Sequence, residues 1–243
     1  MRRLRPFLLH PDLRVIVGQA KPRFEVRQVF TQRRILLVNL SKGLLGGETA
    51  ALLGSLVVTQ LWQATLGRGA VAPERRHAVL VYVDEFQDYL NLPTDFADAL
   101  AQARGLGVGF VLAHQFLHQL HPAMRAAVLA NTQSRIAFRL PHDDARVIAA
   151  GGALDPEDFQ SLGAFQCYAQ LVANGAVQPW CSVQTRAPDE PMSDPNAVRA
   201  SSRDRYGMDR DLVEEDIHKL VFRRTEDLTD DIGSRRRTGG GGG

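Results

Sequence analysis

VLVYVDEFQ, residues 79–87, is the stretch on which the fold turns. Five apolar residues, Val79, Leu80, Val81, Tyr82 and Val83, read as a buried strand that stops abruptly at Asp84 and Glu85. Two carboxylates held at the rim of a rigid sheet suit the hydrolysis of a nucleoside triphosphate. The first holds hydrated magnesium and the second polarises the attacking water. The plainer alternative is an acidic pair that caps the next helix.

Working outward, residues 34–40 (RILLVNL) form a short apolar run bounded by charge and a Ser-Lys-Gly turn, which predicts another buried strand, followed by a helix over 48–66. Downstream, 95–104 (DFADALAQAR) predicts a helix opening on the capping acid Asp95, and Gly105 and Gly107 stop it before a strand at 108–113. A helical passage over 116–129 is broken by Pro122, and 134–140 (SRIAFRL) reads as a fourth strand. Residues 168–172 and 177–185 flank Asn174-Gly175, the strongest short-range hairpin signal. The expected fold is therefore α/β, with a mostly parallel sheet and an antiparallel edge hairpin.

Two further residues carry chemistry in this frame. His114-Gln115 follows the strand at 108–113, and an amide just beyond a neighbouring strand can reach a γ-phosphate or its water. The alternative is a polar loop residue bonded to backbone. Arg104 ends its helix, where a cation either meets the helix dipole or reaches across a subunit interface as an arginine finger.

Composition bounds the rest. With 243 residues, 44% hydrophobic and 23% charged, the chain has the balance of a globular protein, which excludes a mostly disordered chain, a fibre or a small stapled scaffold. Cys167 and Cys181 have no metal or disulfide-framework spacing, so a reducing, cytoplasmic setting is expected. A net charge of +2 confines any nucleic-acid contact to a local patch. The apolar stretch 50–62 is shorter than the roughly 20 residues of a membrane span, so no transmembrane segment is expected. The Arg-rich start, 1–9, lacks the apolar core and cleavage site of a signal peptide. The chain divides into a basic helical lead-in (1–33), an α/β domain (34–186) and a tail (187–243) whose Pro, Ser, Asp, Arg and terminal glycines suggest disorder. Inside that tail, 211–222 places Leu212, Val213, Ile217, Leu220 and Val221 near one helical face, as a short docking helix would.

Over residues 4–185 the chain resembles the type IV coupling proteins of conjugation and secretion, the TraG/TraD-like relatives of the FtsK/HerA DNA motors. The matching blocks, in order, are LRPFLLHPDLRVIVGQ, RRILLVNLSKGLLGGETAALLGSLVVTQLWQATLGR, VYVDEFQDYLNLPTDFADALAQARGLGVGFVLAHQFLHQL and NTQSRIAFRLPHDDAR. The resemblance implies a partial RecA-like P-loop NTPase core that uses ATP and Mg2+. It makes Asp84 and Glu85 the Walker B pair, with Asp84 holding magnesium through water, Gln115 the glutamine sensor and Arg104 a finger supplied in trans within a homo-hexameric ring. It implies DNA as the translocated partner, with relaxosome or secretion-channel proteins beside it at the cytoplasmic face of the inner membrane.

One departure bears on activity. A phosphate-binding loop reads G-x-x-x-x-G-K-[ST], and none of the three lysines, Lys21, Lys42 and Lys219, follows a glycine. The nearest imitation, residues 43–49, has Glu48 where a cation is needed. The chain thus resembles the C-terminal portion of a coupling protein without Walker A, expected to bind nucleotide poorly alone. A non-hydrolysing assembly or adaptor module is the alternative from another class. DEFQD at 84–88 also matches motif II of superfamily 1 helicases of the UvrD kind, but that family's following Gly-Asp and Gln-Ser-type motif is absent here. His114, His118 and His121 at helical spacing mimic a zinc site, with Gln115 where a general base would stand.

Overall fold

The structure, a computed structural model, describes residues 11–19, 21–89 and 96–219. It divides into two compact units, residues 29–190 and the pair of segments 1–28 and 191–243.

In chain order the helices are α1 (Pro11–Val17), α2 (Arg27–Thr31), α3 (Lys42–Leu45), α4 (Gly47–Leu66), α5 (Phe96–Gly105), α6 (Pro122–Asn131), α7 (His142–Ala149), α8 (Pro156–Gln160), α9 (Pro195–Tyr206) and α10 (210–219). The strands are β1 (Val79–Val83), β2 (Val108–Leu112), β3 (Arg135–Ala137), β4 (Gln166–Gln170), β5 (Val172–Ala173), β6 (Ala176–Val177) and β7 (Cys181–Gln184).

The larger unit is built on β1 and β2, which pair in parallel with Val79 opposite Val108 and Val83 opposite Leu112. A separate antiparallel sheet has the order β3-β4-β7. The small β5-β6 hairpin turns through Asn174 (φ 52°) and Gly175 (φ 77°), both in the left-handed region that a two-residue hairpin turn demands. Period-two alternation sends Val81 and Val83 inward to a core of Val58, Phe86, Tyr89, Leu117, Leu120 and Val128. A second core gathers Ala137, Ala145, Ala149 and Phe159, whose ring meets Tyr168 and Trp180 edge-on, each at 5.3 Å.

The expected strand at 34–40 does not form. The segment has no regular secondary structure and lines, together with β1, a groove of about 960 Å³, with Ile35 89% and Leu37 81% exposed. A parallel ladder is favoured when both faces of the sheet are covered. Here the outward face is open, with Leu80 60% and Tyr82 71% exposed, so closing the ladder would bury little. The strand expected at 134–140 is confined to β3, and Phe138 is exposed.

Among the described residues one helix, α4 with the 3-10 turn after it (Gly47–Ala70), is long and apolar enough to cross a membrane by length and composition alone, a test that the core helix of a globular domain also passes. Its buried residues, Thr49, Ala50, Gly54, Val58, Trp62 and Thr65, form one stripe, the pattern of a helix packed on a sheet. At Gly54 an added Cβ would clash with the Tyr89 ring, so helix and β1 turn approach more closely than alanine allows.

Helices α7, α8 and α9 were legible only as punctuation. Each has proline at or just before its first turn, and Asp155 and Asp194 stand at the N-caps of α8 and α9. In the smaller unit, α10 buries Val213 (1% exposed) while Leu212 is 57% exposed, so Leu212 does not share the buried face expected of it. Leu220 and Val221 lie outside the described residues. A Cβ on Gly18 would meet Ile217 Cδ1 at 2.6 Å, and Arg210 pairs with Asp12 at 3.1 Å, so α1 and α10 pack directly on each other.

Candidate active site

The chain leaves β1 through a turn that the next residues hold in place. Phe86, fully buried, donates its N–H to the Ala113 carbonyl (3.2 Å), and Ala113 donates to Val83 (3.0 Å). These bonds extend the β1-β2 register past both strands and set the two exits side by side. Glu85 sits in the left-handed region (φ 48°, ψ 47°), uncommon for a side-chain-bearing residue and found most often at turns and functional sites.

The consequence is a convergence of residues 30 positions apart. Gln115 Nε2 donates to Glu85 Oε1 at 2.5 Å. Gln87 Nε2 donates to the other oxygen, Oε2, at 2.7 Å. Asp84 is exposed, and its Oδ1 accepts from the Glu85 backbone N–H at 3.1 Å. That carboxylate has a second oxygen and room for a hydration shell, so it suits a hydrated magnesium ion held by a hard oxygen ligand. Thus Asp84, Glu85 and Gln115 come together at the exit edge of the parallel pair.

Arg104 does not join them. It lies exposed on the last turn of α5, and the following Gly107 carbonyl accepts from Val79 N–H (3.1 Å) at the entry end of β1. Five residues of strand, at roughly 3.3 Å each, separate that end from Glu85 by about 16 Å. An arginine side chain does not bridge this distance within one subunit.

Two residues at the site were not singled out from the sequence. Lys42 reaches Asp88 Oδ2 at 2.5 Å, and this bond holds its ammonium above the ordinary lysine value. Gln87 was visible in the sequence only as part of a motif match, although a residue two past a turning carboxylate can fold back on it. The loop carrying Gln115 is pinned by Asp144 of α7, a buried carboxylate that accepts from Leu117 N–H at 2.9 Å.

The histidines do not make a metal site. His114 lies in the loop, His118 in a 3-10 turn (Leu117–Gln119) and His121 at the N-cap of α6, because Pro122 begins a helix instead of interrupting one. Among the described residues no group of three His, Cys, Asp or Glu could hold a metal. His114 Nδ1 is buried without a partner, and burial holds its pKa below the ordinary histidine value against the opposing effects of the nearby Phe116 backbone, Asp144 and Glu85.

No protein-family model and no curated protein matches the chain. Solved structures do. The plasmid coupling protein TrwB in complex with ADP and Mg2+ matches with TM-score 0.50 at 16% identity, over 61% of this chain and 40% of that one. TrwB with the non-hydrolysable GTP analogue GDPNP matches with the same figures, TM-score 0.50 and 16% identity. A genome packaging NTPase, B204 from Sulfolobus turreted icosahedral virus 2, in complex with AMPPCP, covers 51% of this chain at 17% identity with TM-score 0.37, too low to carry an argument. The chain spans about two fifths of the TrwB structures it matches. Its architecture is the α/β fold of a TrwB-like P-loop NTPase.

Proposed function

We propose that this chain is part of an ATP-driven DNA-translocating motor of the coupling-protein class, which passes DNA or nucleoprotein to a secretion channel. The observation that carries this reading is the Glu85–Gln115 contact at the exit edge of two parallel strands, with Asp84 alongside. In it Asp84 would hold magnesium through water, which would supply charge neutralisation for the phosphates. Glu85 accepts the proton of the water as its oxygen attacks the γ-phosphorus, and the bond to the bridging oxygen breaks with its electron pair left on ADP. Gln115 reports whether the γ-phosphate is present. Arg104, too far from its own acid pair, serves the neighbouring subunit in a homo-hexameric ring. DNA is the translocated partner, and relaxosome or channel proteins at the cytoplasmic face of the inner membrane are the neighbours.

The phosphate-binding lysine is not among this chain's residues near the acid pair, since Lys42 is engaged with Asp88. A Walker A segment elsewhere in the motor supplies it. The open face of β1, with Leu80 and Tyr82 exposed, supports a domain that needs further covering structure. The same face supports the second reading, a non-hydrolysing module that assembles with a motor. The deciding experiment is Glu85→Gln in the motor joined to a Walker A segment. ATP stays bound while turnover falls about 10²–10⁴-fold, and hydrolysis that survives the substitution removes Glu85 from the role of base.

A further inference from the structure

Both oxygens of the Glu85 carboxylate are occupied by side-chain amides, and the two amides differ in surroundings. Gln87 is part-buried, two residues from Glu85 on the same turn, and its own Oε1 is buried with no partner. A buried acceptor left unmade is costly. Turning the amide over would set Oε1 against Glu85 Oε2, two acceptors face to face, so the side chain keeps its Nε2 on the carboxylate. Gln115 is exposed on the loop after β2 and nothing buries its amide. Lys42 steadies the far end of the turn through Asp88, which donates its N–H to the Glu85 carbonyl at 3.0 Å.

We infer that Gln87 is a positioning residue that holds Glu85 Oε2 throughout, while Gln115 masks Oε1 in the resting site and frees it on leaving. The inference rests on the reading of Glu85 as the base. An amide on each oxygen takes up one lone pair of each and crowds the approach of a water to the carboxylate. Departure of Gln115 toward a phosphate exposes one oxygen, and Gln87 fixes the direction in which it points. Sensing and activation are then the same movement.

The test uses the chain itself, labelled with 15N, and reads the side-chain amide resonances of Gln87 and Gln115, assigned by their loss in Gln87→Leu and Gln115→Leu. Glu85→Ala shifts both pairs. Glu85→Gln offers one acceptor oxygen to two donors, so one glutamine loses its partner. The expected one is Gln115, with the Gln87 pair nearly unmoved. In the unsubstituted chain the Gln87 amide exchanges with solvent at least about 10-fold more slowly than that of Gln115. Gln87 resonances indifferent to both Glu85 substitutions, or Gln115 exchanging as slowly as Gln87, overturn the inference. None of these readouts needs nucleotide, so the clamp can fail while the motor reading stands, or the reverse. In the joined motor, Gln87→Leu lowers kcat about 10-fold with KM unchanged, the pattern of an interaction that matters in the transition state. A raised KM at unchanged kcat overturns the positioning role.

Discussion

Asp144→Ala removes the acceptor that ties α7 to the loop carrying Gln115. The bond from Leu117 N–H to Asp144 Oδ2 is 2.9 Å long, and both residues are buried, Leu117 at 3% and Asp144 at 5% exposure. Alanine cannot accept, and water cannot easily reach the site, so the Leu117 N–H is left unmade at a cost of about 1–3 kcal/mol. Relief from burying a carboxylate offsets part of this, and the net expectation is about 2 kcal/mol. For a chain of this size that lowers the unfolding midpoint by roughly 4–8 °C. Asp144→Asn keeps a side-chain oxygen in place and costs less than half as much, since a neutral bond replaces a charge-assisted one. Urea unfolding followed by tryptophan fluorescence measures both, Trp62 and Trp180 being the two reporters. An Asp144→Ala chain within about 0.5 kcal/mol of the parent, inside the range of an ordinary surface change, refutes the argument that this bond holds the loop.

The remaining expectations concern the site and its partners. The chain alone shows no magnesium-dependent ATPase above background, and turnover that disappears in Glu85→Gln would contradict the need for a separate Walker A segment. In the joined motor, Arg104→Ala leaves nucleotide binding intact while turnover falls roughly 10³-fold or more. If Arg104 only meets its helix dipole, the substitution costs about 0.3–1 kcal/mol of stability and spares turnover. Rings mixed from Arg104→Ala and Glu85→Gln subunits regain partial activity if the finger acts in trans, and absence of recovery with binding preserved assigns Arg104 to structure. His114, pushed down chiefly by burial, stays neutral in the fold, whereas the unfolded chain protonates it near the ordinary value of about 6.5. Its contribution is therefore complete above that pH and is lost as pH falls toward His114's lower value. Denaturation at successive pH values shows the loss in the parent and a flatter profile in His114→Phe, and identical profiles exclude His114 as the source.

Local chemistry was enough for several features of this protein. An apolar run ending in Asp84 and Glu85 specifies a strand with acids at its exit, Asn174-Gly175 specifies a left-handed two-residue turn, and the glycines after Arg104 end a helix, because each depends on a few neighbouring residues. Tertiary structure decided the rest. Residues 34–40 have a strand's composition but form no strand, since the energy that favours a parallel strand comes from burial on a face that lies open beside Leu80 and Tyr82. Gln87, Gln115 and Lys42 meet the acid turn only because β1 and β2 exit side by side and Glu85 turns through the left-handed region. Arg104 stands at the opposite end from the acids, a fact that spacing along the chain does not contain. Contacts between distant segments follow from strand register and burial, which no local pattern encodes.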